Sequence, residues 1–346
     1  MPHKIPVDLR SDTVTKPTPA MRKAMVEAEV GDDVFLEDPA VNRLQEMVAD
    51  LLGKEAALFV PSGTMGNQIA MRCHTQPGDE VICEAGAHFL HYELGGIAVL
   101  SGVHARTIHG VRGMITAEQI ATMVRPAAYY MPTTKLIALE NTHNSAGGTI
   151  FPVEEIAKIA KFARQHGLRL HLDGARLWNA CAATKISPKE YASTCDSVSV
   201  CFSKGLGAPV GSALVGSREF IERARRVRKM FGGGMRQVGI LAAAALYALE
   251  HNRERLLEDH GNAKKLAAGL ANLSGVRIDH ESVQTNIVMI DLSQTRLGAA
   301  ATVAALRQEG VWVVPFGTHV LRAVTHLEIS ANDIEYVLSA FQKVLV

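Results

Sequence analysis

No apolar run in this chain approaches the ~20 residues that a helix needs to cross a bilayer. The opening MPHKIPVDLRSD has no apolar stretch of the kind that marks a secretory signal. Blocks of like charge are missing too: 36 Lys+Arg stand against 35 Asp+Glu, a net +1, and no five or six like charges run together. Such a balance gives nucleic acid or an anionic membrane no electrostatic hold, so a small molecule is the expected partner. The five cysteines, Cys73, Cys83, Cys181, Cys195 and Cys201, are odd in number and contain neither C-x-x-C nor any other zinc spacing. They read as reduced core residues of a cytoplasmic protein, and no metal is expected. The nucleotide signatures are absent as well. G-x-x-x-x-G-K-[ST] does not occur, and Gly205-x-Gly207 meets Val210 where a third glycine would complete the dinucleotide motif.

What is present is ordinary globular composition, 47% hydrophobic and 21% charged over 346 residues, enough chain for roughly two domains. Short apolar runs alternate with helical periodicity, the pattern of an α/β fold with a largely parallel sheet. Six strands are expected, at AALFV (56–60), EVIC (80–83), KLIALE (135–140), LRLHLD (168–173), SVSVCF (197–202) and SALVG (212–216). Asp38-Pro39 reads as the cap and first position of a helix that Gly53 ends. Helices near 236–250 and 252–271 look almost continuous. From about 256 the character changes to a smaller α+β unit, which sets an expected division into 1–255 and 256–346.

Two residues carry the chemistry. Asp173 closes one apolar strand and Lys204 follows the next, so both project where ligands of open α/β sheets bind. Alone, Asp173 would cap the helix starting near Ala175 and Lys204 would be a loop lysine. Yet Lys204 lies in FSKGLGAPVG, between a buried-looking strand and glycines that let backbone approach a ligand. An amine that can hold an aldehyde as a Schiff base, with a carboxylate to keep a ring nitrogen protonated, is what pyridoxal phosphate requires. PSGTMGN (61–67) separates a strand from a helix, and the N–H groups of Gly63, Thr64 and Met65 would cradle a phosphate at that helix N-terminus. Pro-Ser-Gly (61–63) between a strand and a helix is also common turn chemistry. His88 and His91 have the spacing of a metal pair, but no third ligand follows at metal spacing. Glu93 reads equally as a helix-face carboxylate or as a group orienting a histidine.

Taken together, DLRSDTVTKPTPAM, VGDDVF, PSGTMGN, GAHFLHYELGG, LENTHN, HLDGARLWNA, SKGLGAPVGS, RKMFGGGMRQ and LRAVTHLEIS resemble the low-specificity L-threonine aldolases. These belong to the β-eliminating-lyase branch of fold-type-I pyridoxal-phosphate enzymes. The resemblance implies Lys204 as Schiff-base lysine, Asp173 as partner of the pyridine nitrogen, and His88 as the imidazole stacked on the ring. It counts Gly63, Thr64 and Ser203 with the cofactor-binding residues. It puts Arg176 near the cofactor and the substrate carboxylate, and Ser11 and Arg322 on that carboxylate. Arg236 would reach the cofactor phosphate of a neighbouring subunit, which implies a homodimer or homotetramer with shared sites. The reaction implied splits L-threonine or L-allo-threonine into glycine and an aldehyde, reversibly, with His88 or a water it holds as the candidate base. β-Elimination or transamination on the same cofactor, or a cofactor-binding regulator, are the rivals. Where the family often has a second histidine, this chain has Tyr130.

Overall fold

The computed structural model describes residues 6–345. The chain begins on a two-residue strand, β1 (Val7–Asp8). Seven strands follow: β2 (Ala56–Val60), β3 (Glu80–Glu84), β4 (His104–Ile108), β5 (Thr134–Glu140), β6 (Arg169–Gly174), β7 (Ser197–Cys201) and β8 (Ser212–Gly216). They form one sheet in the order β2-β8-β7-β6-β5-β3-β4, parallel throughout except for β8, which runs against both neighbours. The six expected strands are all in it. The seventh, β4, has the polar sequence HARTI, since it lies at the sheet edge with most of its length partly exposed.

Local signals explain the helices that cover the sheet. Asp38 Oδ1 accepts the Val41 N–H at 3.1 Å, Pro39 occupies the first turn, and Gly53, at φ 60°, ends the helix Pro39–Leu52. Its buried face of Val41, Leu44, Val48 and Leu52 packs into the main core. The helix Gly63–His74 starts on Ser62, whose hydroxyl accepts the Met65 N–H at 3.1 Å. The expected near-continuous pair is two separate helices, Gly239–His251 and Leu256–Leu270. Asn252, in the turn between them, donates to Leu206 O at 2.7 Å and braces the loop after β7.

A second core gathers the rest of the chain. β9 (Ile287–Asp291), β10 (Val311–Trp312), β11 (Val314–Pro315) and β12 (Val320–Val324) supply its strands, with β11, β12 and β9 forming an antiparallel sheet. β10 pairs in parallel with β1, and Val7 and Leu9 are buried in this second core. The N-terminal strand thus packs with C-terminal elements. Among the described residues no helix is long and apolar enough to cross a membrane.

Candidate active site

The parallel strands deliver their carboxyl ends to one edge, and the register there is informative. Glu140 pairs with Asp173, and Asp173 with Ser199, so three polar side chains stand abreast on β5, β6 and β7. Past the end of β7 the chain turns through 202–211. Phe202 N–H donates to Gly211 O and Gly207 N–H to Lys204 O, which folds the segment into a compact loop carrying Lys204. A cleft of about 300 Å³ opens over this edge, lined by Gly63, Thr64, His88, Asp173, Ser203 and Lys204 among others. Six of the expected site residues therefore meet at one place. Among the described residues, no hydrogen bond or ion pair engages the Lys204 amine. The first N–H groups of the helix Gly63–His74 have no intrahelical partner. Ser62 takes that of Met65, which corrects the expected three-donor cradle to Gly63 and Thr64.

Asp173 is 4% exposed. Its Oδ1 accepts Ala175 N–H at 3.0 Å, the capping bond expected of an ordinary aspartate, and Oδ2 accepts Asn67 Nδ2 at 2.8 Å. Asn67 Nδ2 also donates to Glu93 Oε1 at 2.9 Å, and Gln68 Nε2 to Glu93 Oε2 at 2.6 Å. His88 Nδ1 lies 2.9 Å from Glu93 Oε1. A carboxylate only accepts, so Nδ1 carries the proton and Nε2 is left for chemistry. Burial opposes charging the His88 ring, but the Glu93 bond and the Asp173 charge prevail and raise its pKa. Glu93 is thus the orienting carboxylate rather than a helix-face one, buried between the short helices His88–His91 and Gly96–Ser101. His88, Glu93 and Asp173 bring ligand atoms within 4.8 Å of one another, donors that the sequence spacing did not reveal. Asn67 places an N–H between the two carboxylates, a proton donor where a cation would sit. His91 turns away to Ala85 O.

The remaining candidates lie outside the cleft lining. Arg176, 4% exposed, makes a two-pronged ion pair with Asp12, Nε–Oδ2 2.7 Å and Nη2–Oδ1 2.8 Å. Burial alone would raise the Asp12 pKa; the Arg176 charge and bonds outweigh it and hold Asp12 well below the carboxylate range. Arg322 comes from β12 and donates to Asn144 Oδ1 at 2.9 Å and Arg10 O at 3.3 Å. Its Nε is buried without a partner, and among the described residues no carboxylate lies within ion-pair distance. Burial, then the Arg176 charge nearby, lowers its pKa. Arg176 reaches the same Asn144 Oδ1 at 3.3 Å, so one amide oxygen joins the two guanidiniums. The Ser11 hydroxyl caps Thr13 N–H at 3.2 Å and lies 3.4 Å from Asp12 Oδ1. Arg236 is exposed and bound to Asp32 at 2.9 Å. Tyr130 is 70% exposed, and His143 Nε2 sits 3.1 Å from Glu84. Asn67 and Asp12 were not singled out in the sequence, although both lie inside quoted motifs. The signal for Asn67 was a polar Asn-Gln pair on a helix otherwise facing the core.

A mixed sheet covered by helices, with a lysine and a buried aspartate at the carboxyl ends of adjacent strands, is the fold-type-I architecture of pyridoxal-phosphate enzymes. The chain belongs to the β-eliminating lyase family, whose model matches residues 8–293. It is 46% identical over 345 residues to low-specificity L-threonine aldolase 1 of Arabidopsis thaliana, covering 98% of this chain and 96% of that one. It is 42% identical over 340 residues to the low specificity L-threonine aldolase of Escherichia coli, covering 98% and 99%. The fold is shared with a threonine aldolase of Leishmania major at TM-score 0.84 and 21% identity, covering 99% of this chain and 100% of that one.

Proposed function

We propose that the chain is a pyridoxal-phosphate-dependent aldolase that cleaves L-threonine, L-allo-threonine and related β-hydroxy-α-amino acids to glycine and an aldehyde, reversibly. The observation that carries this reading is the Lys204 amine, without a hydrogen-bond or ion-pair partner among the described residues, facing the same cleft as the buried Asp173. The residues fit the cofactor. Lys204 would hold its aldehyde, Asp173 its ring nitrogen, His88 its ring face, and Gly63, Thr64 and Ser203 its phosphate. Bound there, the cofactor supplies a sink for the electron pair released at Cα.

The chain's own residues then do the rest. Arg322, a guanidinium without a carboxylate partner among the described residues, takes the substrate carboxylate, and Arg176 and Ser11, flanking Asp12, form the second side of that clamp. A fixed carboxylate decides which bond at Cα is placed to break. His88 Nε2, its tautomer set by Glu93, accepts the β-hydroxyl proton as the Cα–Cβ bond opens. Arg236, held by Asp32 outside this cleft, serves the phosphate site of a second copy. The assembly is a homodimer or homotetramer, in keeping with Leu94 and Val99, 98% and 80% exposed near His88. A reducing cytoplasmic setting is part of the same reading and agrees with five free thiols.

The deciding assay supplies pyridoxal phosphate with L-threonine or L-allo-threonine and measures acetaldehyde. Wild type should release it, and Lys204→Ala should neither release it nor hold the cofactor covalently. Ammonia and an oxo acid in place of the aldehyde would move the chain to β-elimination or transamination.

A further inference from the structure

The sheet face beneath the helix Gly63–His74 carries a polar line of which the chemistry above uses only the Asp173 end. β6 offers His171 and Asp173, β7 offers Ser197 and Ser199, and the register sets His171 against Ser197 and Asp173 against Ser199. Alternate residues of a strand share a face, so all four point toward the helix. On that helix Asn67 and His74 stand two turns apart, on one face. Asn67 is 2% exposed, His171 1%, Ser197 0% and Ser199 1%. Five unbroken contacts join them: His74 Nε2 to Ser197 Oγ 2.7 Å, Ser197 Oγ to His171 Nδ1 2.9 Å, His171 Nε2 to Asn67 Oδ1 3.2 Å, and Asn67 Nδ2 to Asp173 and Glu93.

The protons along this line can be assigned one by one. Asn67 Nδ2 meets two carboxylates, which only accept, so the amide nitrogen must face them and Oδ1 must face away. Oδ1 then accepts from Ser199 Oγ at 2.9 Å and from His171 Nε2, which fixes His171 as the Nε2–H tautomer. A neutral His171 has a bare Nδ1, so Ser197 donates to it, and Ser197 in turn accepts from His74 Nε2–H. Both rings are neutral at neutral pH: burial pushes His171 down to about 4 against the pull of Asp173. Burial, with His171, Arg169 and Arg223 adding to it, takes His74 to about 3. Every donor on the line therefore points toward the Asp173–Glu93 pair.

We infer that Asn67 is a positioning residue: locked by His171, Ser197 and His74, its amide holds Asp173 and Glu93 as two separately hydrogen-bonded carboxylates. The inference rests on the proposed function only in that Asp173 and, through Glu93, His88 are the groups served. Without the amide, two buried carboxylates whose oxygens come within 4.8 Å face each other with no donor between them, and neither Asp173 nor Glu93 keeps its place. A His171 turned to the other tautomer would set a lone pair against Asn67 Oδ1 and release the amide.

Two measurements test this. In protein labelled with 15N-histidine, the His171 signals, assigned by their loss in His171→Gln, should show a protonated Nε2 and a bare Nδ1 across about pH 6 to 8. The second is pyridoxal-phosphate affinity, read by fluorescence quenching. Asn67→Asp and His171→Leu should each weaken it roughly tenfold. His171→Gln, which keeps an N–H for Asn67, should restore most of it. A charged or Nδ1–H His171 in wild type overturns the inference, as does wild-type affinity in a folded Asn67→Asp. Wild type that binds no cofactor would strike the proposed function instead, while the His171 tautomer would still decide this inference.

Discussion

Arg322 is the clearest case of a side chain that makes sense only with a ligand. Its neighbours in VLRAV are apolar, its Nε is orphaned, and neutral oxygens are its only acceptors among the described residues. An internal ion pair would have left it structural; the structure pairs Arg176, not Arg322, with an acid. Arg322→Ala should therefore melt near wild type and keep its cofactor affinity, while kcat/KM for threonine falls by roughly two orders of magnitude. Unchanged kcat/KM would hand the carboxylate to Arg176 and Ser11. His88 allows a sign to be worked out. As a base it acts in its neutral form, so turnover falls as pH drops through its raised pKa. Glu93→Gln removes the anionic acceptor from Nδ1, and the acid limb of the kcat/KM profile should move to lower pH. An unmoved limb would show that another group is the base. At this scale Lys204 and Asp173 were legible as a pair because each ends or follows an apolar strand, whereas His88 stood out only through the family resemblance. Asn67 and Asp12 were not, because their value lies in partners brought from distant parts of the chain.

The loop 202–211 shows how an element depends on one backbone position. Gly211 sits at φ +109°, and a Cβ there would meet the Phe59 ring at 2.7 and 2.9 Å. Its carbonyl also accepts the Phe202 N–H at 3.0 Å, two residues from Lys204. Gly211→Ala should cost about 1–3 kcal/mol of stability and loosen cofactor binding. Gly232 has φ +81° but no atom within 4 Å of a Cβ, so Gly232→Ala should cost less in the same thermal melt. Equal losses would mean that conformation alone, not the Phe59 contact, sets the penalty. The elements themselves were mostly readable: caps, glycine stops and apolar runs marked the helix Pro39–Leu52 and six strands. β4 escaped because an edge strand with partly exposed faces has no apolar run to announce it. The break between Gly239–His251 and Leu256–Leu270 escaped because no proline marks it.

At the scale of the whole molecule, we propose that the chain divides near residue 255, with the helix from Leu256 serving the smaller unit and β1 crossing to it. Shared sites between copies make a concentration-dependent prediction. Dilution below the assembly's dissociation constant should release cofactor and activity together, and Arg236→Ala should weaken cofactor binding without changing the fold. A fully active monomer in sedimentation would contradict the shared site. The crossing of β1 has a consequence for biosynthesis. Arg10, whose carbonyl receives Arg322, and Asp12, which holds Arg176, lie on the segment just after β1, and Arg10 is 312 residues from Arg322. On a translating ribosome the large sheet can form while β10 and β12 are still unmade, leaving β1 waiting without its partner strand. The Arg176 and Arg322 contacts beside the cleft are therefore the last to form, so a nascent chain stalled before Val311 carries Lys204 and Asp173 yet has no completed grip for substrate.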